Sequence, residues 1–393
     1  MRVLERLLQK KEKTIIGLMS GTSADGIDAV IVDVAGNGIT TKICQRAFET
    51  YSYPRGFKQC LLRHSDAKTA RLDEIARLNV LIGMFFADSA KRIARKAGLR
   101  LSKVDLIGSH GQTVQHLPEK RLLFGKEIRA TMQLGSPSVI AKLTGIVTVG
   151  DFRVGDVAKG GTGAPLVPYF DFIMFRSSRS NRALLNIGGI ANITILPQKC
   201  ALENVVAFDT GPGNMIIDGL MLHCFGKPFD KFGGVALRGR IIPELLRWLM
   251  SNPYLKKEPP KSTGREMFGE GLFKKILRHA NRERREDIIA TVSEYTALSV
   301  YDSYLRFVRR QTVLDEILLS GGGVHNQYIV DALQRYFDPI RVNPIEHLGF
   351  CSDAKEAICF AVLANEAIAG NPANVPAVTG ARNETVLGTI CLP

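Results

Sequence analysis

Apolar runs alternate with small polar residues at the start of the chain. The runs "TIIGLMS" and "IDAVIVDVAG" flank "GTSADG", which supplies Gly, Ser, Thr and Asp. Two apolar runs of strand length separated by such residues predict a strand, a loop and a second strand. A plain hairpin needs only two turn residues, so we interpret the longer polar loop as a ligand-binding element.

Helical periodicity follows this hairpin. Apolar residues at three- and four-residue spacing predict helices in "GFKQCLLRHS" and in "TARLDEIARLNVLIGMFFADSAKRIARKAG". Ser136 and Pro137 predict the start of a short helix, "GSPSVIAKLTG". The run "VDLIGSHGQTVQH" predicts a short strand that ends in a polar loop. The run "IVTVGDFRVGDVAKGGTGAPLVP" predicts a buried strand that leaves into a long Gly-rich loop.

The second half of the chain repeats this order of elements. "RALLNIGGIANITILP" is again strand, Gly turn and strand, and "VVAFDTGPGN" and "EILLSGGGVHN" are strands that end in glycines. The helix "SDAKEAICFAVLANEAIAG" closes the pattern. We therefore predict an α/β protein of two duplicated domains, residues 1–182 completed by 371–393, and residues 183–370. Ligands in such folds bind where strands end, which predicts a binding cleft between the domains.

The composition narrows the class of protein. The chain has 393 residues, more than one core usually serves, with 45% hydrophobic and 23% charged residues, as in soluble globular proteins. No apolar run approaches the ~20 residues of a membrane span, and "MRVLERLLQKKEK" is too interrupted by charge for a secretory signal. The seven scattered cysteines, without a CxxC pair, indicate reduced thiols in a cytoplasm rather than a zinc site.

The net charge of +14 raises the question of nucleic-acid binding. Lysine and arginine are spread along the whole chain. The densest cluster, "RHANRERREDI", contains acidic residues and no aromatic residues on which bases could stack. We therefore expect neither nucleic acid nor a membrane as a partner.

Glycine-rich loops follow several predicted strands, at residues 21–26, 160–163, 188–189, 211–213 and 321–323. Glycine lets backbone amides approach an anion, and Asp25, Asp28 and Asp209 could hold Mg²⁺ or accept a proton. Loops of this kind with nearby carboxylates suit phosphoryl transfer. Each loop alone could be only a tight turn, but five of them, several with Asp or Thr, are hard to explain by turns.

Other catalytic motifs are absent from the sequence. It contains no GxxxxGK[ST] phosphate loop, no GxSxG elbow and no kinase "HRD". His110 and His116 are spaced six residues apart, which makes a poor zinc site.

Longer stretches carry a resemblance to one family. They include "GLMSGTSADGIDA", "GSHGQTVQH", "GDFRVGDVAKGGTGAPLVP", "LLNIGGIANIT", "FDTGPGNMIID", "PPKSTGREMF", "ATVSEYTA", "SGGGVHN" and "DAKEAICFA". In this order they resemble the anhydro-N-acetylmuramic acid kinases, over nearly the whole chain. "FDKFGG" departs from the family, which more often has an acidic residue after the lysine.

The resemblance implies two actin/hexokinase-like (ribonuclease H-like) domains. It implies that ATP and water act on 1,6-anhydro-N-acetylmuramic acid, so that the anhydro ring opens and O6 is phosphorylated. The product would be N-acetylmuramic acid 6-phosphate, made during peptidoglycan recycling. The resemblance further implies Mg²⁺ as a cofactor, a cytoplasmic location and a homodimer.

The resemblance also implies roles for particular residues. ATP phosphates and Mg²⁺ would contact a first loop formed by Gly21, Thr22, Ser23, Ala24, Asp25, Gly26, Ile27 and Asp28, with Asp25 a candidate Mg²⁺ ligand, directly or through water. A second phosphate loop would comprise Gly211, Gly213 and Asn214. The adenosine would lie against Gly321, Gly322 and Gly323. Asp209 would be the general base for water, Glu356 would line the sugar pocket, and Arg153 would face the lactyl carboxylate.

Alternatives remain at this stage. A levoglucosan-type kinase would open 1,6-anhydroglucose by the same step but would leave Arg153 without a carboxylate to bind. A non-catalytic ATP-binding module of the same superfamily would need no base. Arg153 could instead pair with Asp151 or Asp156, and Asp209 could be a Mg²⁺ ligand or a loop cap.

Overall fold

The computed structural model describes residues 2–21 and 24–393. The chain divides into two compact units. The first comprises the residues through Met174 together with Ala354–Pro393, and the second comprises Phe175–Asp353. These bounds differ from the predicted ones mainly at residues 354–370, which the sequence pattern had placed in the second half.

Both units contain strands and helices. The strands are β1 (Glu12–Ser20), β2 (Gly26–Ala35), β3 (Lys42–Ser52), β4 (Leu106–Leu123), β5 (Lys126–Leu134), β6 (Thr148–Gly150), β7 (Arg182–Ile187), β8 (Ile190–Leu196), β9 (Val206–Pro212), β10 (Glu316–Ser320), β11 (Arg341–Pro344) and β12 (Thr389–Cys391). The helices are α1 (Arg2–Gln9), α2 (Phe57–Ser65), α3 (Leu72–Lys96), α4 (Pro137–Thr144), α5 (Phe152–Ala158), α6 (Val167–Phe175), α7 (Asn214–Phe225), α8 (Pro243–Met250), α9 (Pro253–Lys256), α10 (Arg265–Phe268), α11 (Glu270–His279), α12 (Arg285–Phe307), α13 (Gln327–Phe337), α14 (Lys355–Ala369) and α15 (Pro376–Thr379).

The two sheets share one strand order. The first sheet runs β12-β6-β4-β1-β2-β3, with β5 paired to β4, and the second runs β11-β10-β7-β8-β9. In each sheet an antiparallel meander of three strands is extended by two parallel strands beside its first strand. The predicted α/β fold with a duplicated order of elements is confirmed.

Two segments differ from the sequence prediction. Strand β4 continues to Leu123 because it pairs with β5 in an antiparallel ribbon, where a polar loop was predicted. Helix α5 begins directly after β6, where a long Gly-rich loop was predicted. The short helix at Pro137 is as predicted, and the side chain of Ser136 accepts a hydrogen bond from the amide of Val139 at 3.5 Å.

Helix α14 lies directly on β1 and β4, and two glycines make this possible. A Cβ atom on Gly17 would lie 1.9 Å from the carbonyl oxygen of Ala357, and one on Gly108 would lie 2.0 Å from that of Phe360. The helix start, which carries Glu356, is therefore fixed against the sheet of the first unit. Over the described ranges 2–21 and 24–393, no helix is long and apolar enough to cross a membrane.

Candidate active site

The first glycine loop connects β1 to β2. The amide of Ala24 donates to the carbonyl of Gly21 at 3.1 Å, and Ala24 has a φ of 55°, in the left-handed region. The side-chain amide of Gln112 also donates to the Gly21 carbonyl, at 3.1 Å. Thr22 and Ser23, which the sequence assigned to this loop, lie outside the described residues.

A buried polar cluster supports the two ends of this loop. The hydroxyl of Ser20 lies 2.6 Å from the side-chain oxygen of Gln112, and it accepts a hydrogen bond from Tyr53 at 3.1 Å. The amide of Tyr53 donates to the carbonyl of Asp25 at 3.2 Å. Burial raises the pKa of the Tyr53 phenol, so it remains a donor at neutral pH.

Two carboxylates lie at the start of β2. Asp25 is exposed and pairs with Lys58 at 2.5 Å, and Asp28 accepts a hydrogen bond from Thr50 at 2.6 Å. The part of the chain that the structure describes has no group of three or more His, Cys, Asp or Glu residues that could hold a metal ion. A Mg²⁺ ion bound through one or two carboxylates, phosphates and water fits such a loop, because Mg²⁺ rarely needs a cage of protein ligands.

Arg153 lies in the first turn of α5, just beyond the end of β6. Its Nε donates to Nε2 of His110 at 3.0 Å, and its Nη1 donates to the carbonyl of Gly163 at 3.1 Å. Burial, reinforced by the charge of Arg153, lowers the pKa of His110 to about 3. A neutral His110 donates from Nδ1 to the carbonyl of Gly111 at 3.0 Å, which leaves Nε2 as an acceptor for Arg153.

The Gly-rich loop at residues 160–163 is held by a buried carboxylate. Asp156 accepts hydrogen bonds from the amide of Gly163 at 2.8 Å, from Asn374 at 2.9 Å and from Thr379 at 2.7 Å. Among the described residues, no ion pair joins Arg153 to Asp156 or to Asp151. Burial lowers the pKa of Arg153, but only to about 10, and the guanidinium is therefore still charged at neutral pH.

Glu356 lies in the first turn of α14. Burial raises the pKa of its carboxyl group, and the negative charge of Asp28 acts in the same direction. The positive charges of Lys355 and Arg153 oppose this shift. Glu356 thus shares one electrostatic environment with Arg153 and Asp28, as expected for groups that line one pocket.

In the second unit, Asp209 is a half-buried residue of β9. Its Oδ2 accepts a hydrogen bond from the amide of Thr263 at 2.9 Å. Its own amide donates to the carbonyl of Lys261 at 3.2 Å, and its carbonyl accepts from the hydroxyl of Tyr254 at 2.8 Å. The segment from Tyr254 to Thr263 therefore contacts the side chain and both backbone groups of Asp209.

The predicted second phosphate loop is closed by contacts within the protein. The amide of Asn214 donates to the carbonyl of Gly188 at 2.7 Å, and the amide of Gly213 donates to that of Gly189 at 3.0 Å. A Cβ on Gly213 would lie 2.2 Å from the Gly188 oxygen, and one on Gly211 would lie 3.0 Å from the hydroxyl oxygen of Ser299. In this arrangement the amides of Gly213 and Asn214 are directed to protein carbonyls.

The turn between β7 and β8 corresponds in position to the Gly21 loop. Each connects the first two strands of the meander in its own sheet. The turn between β7 and β8 consists of Gly188 and Gly189. The turn and loop hydrogen bonds of the described residues include none donated by these two amides. Glycine amides at a hairpin turn can bind an anion, so this turn is a better candidate for a phosphate contact than the amides of Gly213 and Asn214.

The loop at residues 321–323 follows β10 and packs on the end of β7. Gly321 has a φ of 79°, and a Cβ there would lie 2.5 Å from the side-chain oxygen of Asn186. A Cβ on Gly322 would meet only the side-chain nitrogen of Asn214, at 3.6 Å. The structure therefore brings the third predicted loop together with Asn214 of the second.

The family model and the curated relatives agree on one family. The family model described as anhydro-N-acetylmuramic acid kinase matches residues 13–393. The chain belongs to this family. It is 44% identical to the anhydro-N-acetylmuramic acid kinase of Caldanaerobacter subterraneus subsp. tengcongensis, over 99% of each chain. It is also 44% identical to that of Salinibacter ruber, over 100% of each chain. Among solved structures, an activator of 2-hydroxyisocaproyl-CoA dehydratase from Clostridium difficile with bound ADPNP has a TM-score of 0.45 at 15% identity, covering 90% of this chain and 95% of that one.

The anhydro-N-acetylmuramic acid kinase motifs divide between the units. The first unit contains the Gly21 loop, Arg153 and Glu356. The second contains Asp209 and the glycine loops at 211–213 and 321–323. The sequence pattern indicated no supporting role for His110, which it marked only as part of a poor zinc site, and it did not single out Gln112 or Lys261. Their only signal is their place in "GSHGQTVQH" and "PPKSTGREMF", stretches that carry the family resemblance.

Proposed function

We propose that this protein phosphorylates 1,6-anhydro-N-acetylmuramic acid with ATP and water, giving N-acetylmuramic acid 6-phosphate for peptidoglycan recycling. The observation that carries the proposal is family membership over residues 13–393, which includes Asp209, Arg153 and Glu356. The relatives named for this kinase span the whole chain, so the proposal concerns the complete reaction and not one domain of it.

Nucleotide binding is proposed for the glycine loops. The Gly21 loop is followed by Asp25 and, within β2, by Asp28, and such carboxylates suit Mg²⁺ with bound phosphates. We propose that Gly188 and Gly189 contact phosphate from the second unit, and that residues 321–323 lie against the adenosine. Bound Mg²⁺ would neutralise the phosphate charge and orient the phosphoryl donor.

Asp209 is proposed as the general base. Its carboxylate accepts a proton from water while the water oxygen bonds to C1 of the sugar. The C1–O6 bond breaks, and O6 bonds to the γ-phosphorus of the donor substrate, so that ADP leaves. The hydrogen bond from the Thr263 amide holds one carboxylate oxygen, which fixes the direction of the other.

Arg153 and Glu356 are proposed to bind the sugar. Arg153 is oriented by two neutral acceptors, His110 and the Gly163 carbonyl, and these contacts leave its positive charge for the lactyl carboxylate. Glu356, whose pKa is raised by burial, is proposed to form a hydrogen bond with the sugar. An anhydrosugar without the lactyl group would not use the charge of Arg153.

The remaining expectations follow from the family. We propose that the protein acts in the cytoplasm as a homodimer, without nucleic acid or membrane partners. Light scattering coupled to size-exclusion chromatography would measure the oligomeric state directly.

Product analysis tests the proposed function. The protein is incubated with Mg²⁺, ATP and 1,6-anhydro-N-acetylmuramic acid, and the products are analysed by mass spectrometry. We expect a sugar that has gained one phosphoryl group and one water, together with ADP. Formation of ADP and free phosphate with an unchanged sugar would contradict the proposal.

A further inference from the structure

Lys261 is a buried lysine beside the candidate base, and the reaction described above gives it no role. Only 5% of the surface of Lys261 is exposed to solvent. Its Nζ lies 4.6 Å from the ring centre of Phe307, 4.9 Å from that of Tyr254 and 5.7 Å from that of Phe208. Aromatic rings around an ammonium stabilise its positive charge, so this environment is a cage for a cation.

Backbone carbonyls complete the cage. Nζ donates to the carbonyl of Leu255 at 3.4 Å and to that of Tyr254 at 3.5 Å. Both carbonyls belong to α9, a single helical turn. The ammonium therefore fastens residues 261–263, which belong to neither α9 nor α10, to α9. An apolar side chain of similar length could fill the cage but could not donate these hydrogen bonds.

The fastened segment is the one that contacts Asp209. The Lys261 carbonyl accepts the Asp209 amide, and the Thr263 amide donates to the Asp209 carboxylate. Tyr254, whose ring faces the ammonium, donates its hydroxyl to the Asp209 carbonyl. Phe208, another cage ring, directly precedes Asp209 in β9. Displacing the ammonium would thus loosen contacts to the carboxylate and to both backbone groups of Asp209.

We propose that Lys261 is a positioning residue for Asp209, and that its positive charge in the aromatic cage holds the carboxylate in the orientation needed to accept a proton from water. This inference rests on the proposed function, because Lys261 acts only through Asp209, the proposed base. It concerns the rate of the chemical step rather than the binding of ATP or sugar.

The charge of Lys261 depends on pH in an accessible range. Burial lowers the pKa of its ammonium to about 8, and the positive charges of Arg306 and Lys257 act in the same direction. The carboxylates of Asp302 and Asp209 oppose the shift. Above about pH 8 the ammonium loses its proton, its hydrogen bonds to the carbonyls weaken, and turnover falls.

The test compares Lys261→Met with Lys261→Arg. Methionine has a similar length without charge, and arginine keeps the charge at all accessible pH values. Lys256→Met, a change at an exposed lysine of α9, is the matched control. For each protein, kcat, the KM for ATP and the KM for the sugar are measured between about pH 6 and 10, and thermal melting checks that the variant is folded.

We expect Lys261→Met to lower kcat by ~10-fold or more at pH 7, because a small displacement of a catalytic group is costly, with both KM values within about twofold of the parent. The fall in kcat above about pH 8 is lost in Lys261→Met and moves to higher pH in Lys261→Arg. Lys256→Met behaves like the parent.

A parental kcat and pH profile in folded Lys261→Met would overturn the proposal. If that variant does not fold, Lys261→Arg provides the test. A fall in kcat at the same alkaline pH as in the parent would show that Lys261 does not cause that fall. Asp209→Asn distinguishes the two levels of inference. Full turnover in Asp209→Asn would overturn the assignment of Asp209 as the base. If Asp209→Asn loses turnover but the Lys261 variants behave like the parent, only the role of Lys261 is overturned.

Discussion

Arg153, in the helix that follows β6, and Asp209, in β9, belong to different units, and the two units hold them by different means. The contacts of Arg153 are to neutral acceptors, an imidazole nitrogen and a carbonyl oxygen. Asp209 accepts a backbone amide from a segment that a buried ammonium anchors. The first arrangement suits the proposed recognition of the lactyl carboxylate, and the second suits the proposed role of Asp209 as a base.

This difference separates recognition from chemistry. A residue that binds a ligand charge contributes to KM, whereas a residue that takes a proton in the transition state contributes to kcat. We therefore expect changes around Arg153 to act mainly on the KM for the sugar and changes around Asp209 to act mainly on kcat.

The largest effect is expected for Asp209→Asn. An amide cannot accept the proton of the attacking water, so kcat should fall by ~10²- to 10⁴-fold. The affinity for ATP, measured by calorimetry, should change little, because the change removes no phosphate contact. Near-parental turnover in the folded variant would show that another group is the base.

Arg153→Met should act on the sugar. Loss of a charge pair with the lactyl carboxylate costs about 2–5 kcal/mol, so the KM for 1,6-anhydro-N-acetylmuramic acid should rise by on the order of 10²-fold. Lys159→Met, at an exposed position near the same loop, serves as the control. Weak activity toward an anhydrosugar without the lactyl group should hardly change. Equal losses on both sugars would indicate that Arg153 supports the loop instead.

Gly213→Ala tests the closed turn of the second unit. The added Cβ would lie 2.2 Å from the Gly188 carbonyl oxygen, so the turn must shift. We expect the free energy of unfolding to fall by about 1–3 kcal/mol and ATP to bind more weakly. Gly271→Ala, where a Cβ meets nothing within 4 Å in α11, is the matched control. Unchanged stability and unchanged ATP affinity in Gly213→Ala would contradict this description of the turn.

The smallest effect concerns the neutral histidine that orients Arg153. Burial lowers the pKa of His110 to about 3 and that of His116 to about 4, whereas an unfolded histidine titrates near 6.5. Below about pH 6.5 the unfolded chain binds more protons than the folded chain. The free energy of unfolding therefore decreases as the pH is lowered, by at most about 1.4 kcal/mol per pH unit for each histidine. His110→Gln should reduce this slope in urea titrations between about pH 4.5 and 6.5. An unchanged slope would mean that His110 is protonated when folded.

The sequence predicted the recurring hairpins because strand runs and glycine turns are local signals. It placed Glu356 at the start of a helix, but not the unit to which the helix belongs. That depends on Gly17 and Gly108, which let α14 approach β1 and β4, and no periodicity encodes this contact. The ribbon of β4 and β5 was missed because polar residues there obscure the alternation.

The candidate site shows the same limit. Asp209 and Arg153 stand out beside glycine loops, where ligand contacts are expected. Lys261 does not, because its significance depends on the nearby Tyr254 together with two rings distant in sequence, Phe208 of β9 and Phe307 of α12. The close contact between Gly213 and Gly188 likewise joins two loops that are separate in the sequence, so the sequence pattern does not predict it.

Isotope labelling tests the central claim, that Asp209 directs water to the sugar carbon and not to phosphate. The reaction is run briefly in water enriched in ¹⁸O, and the unlabelled product is incubated in the same water as a control for exchange. We expect one ¹⁸O atom on C1 of N-acetylmuramic acid 6-phosphate and none in its phosphate group. Label in phosphate, or a phosphorylated sugar without water added, would contradict the account.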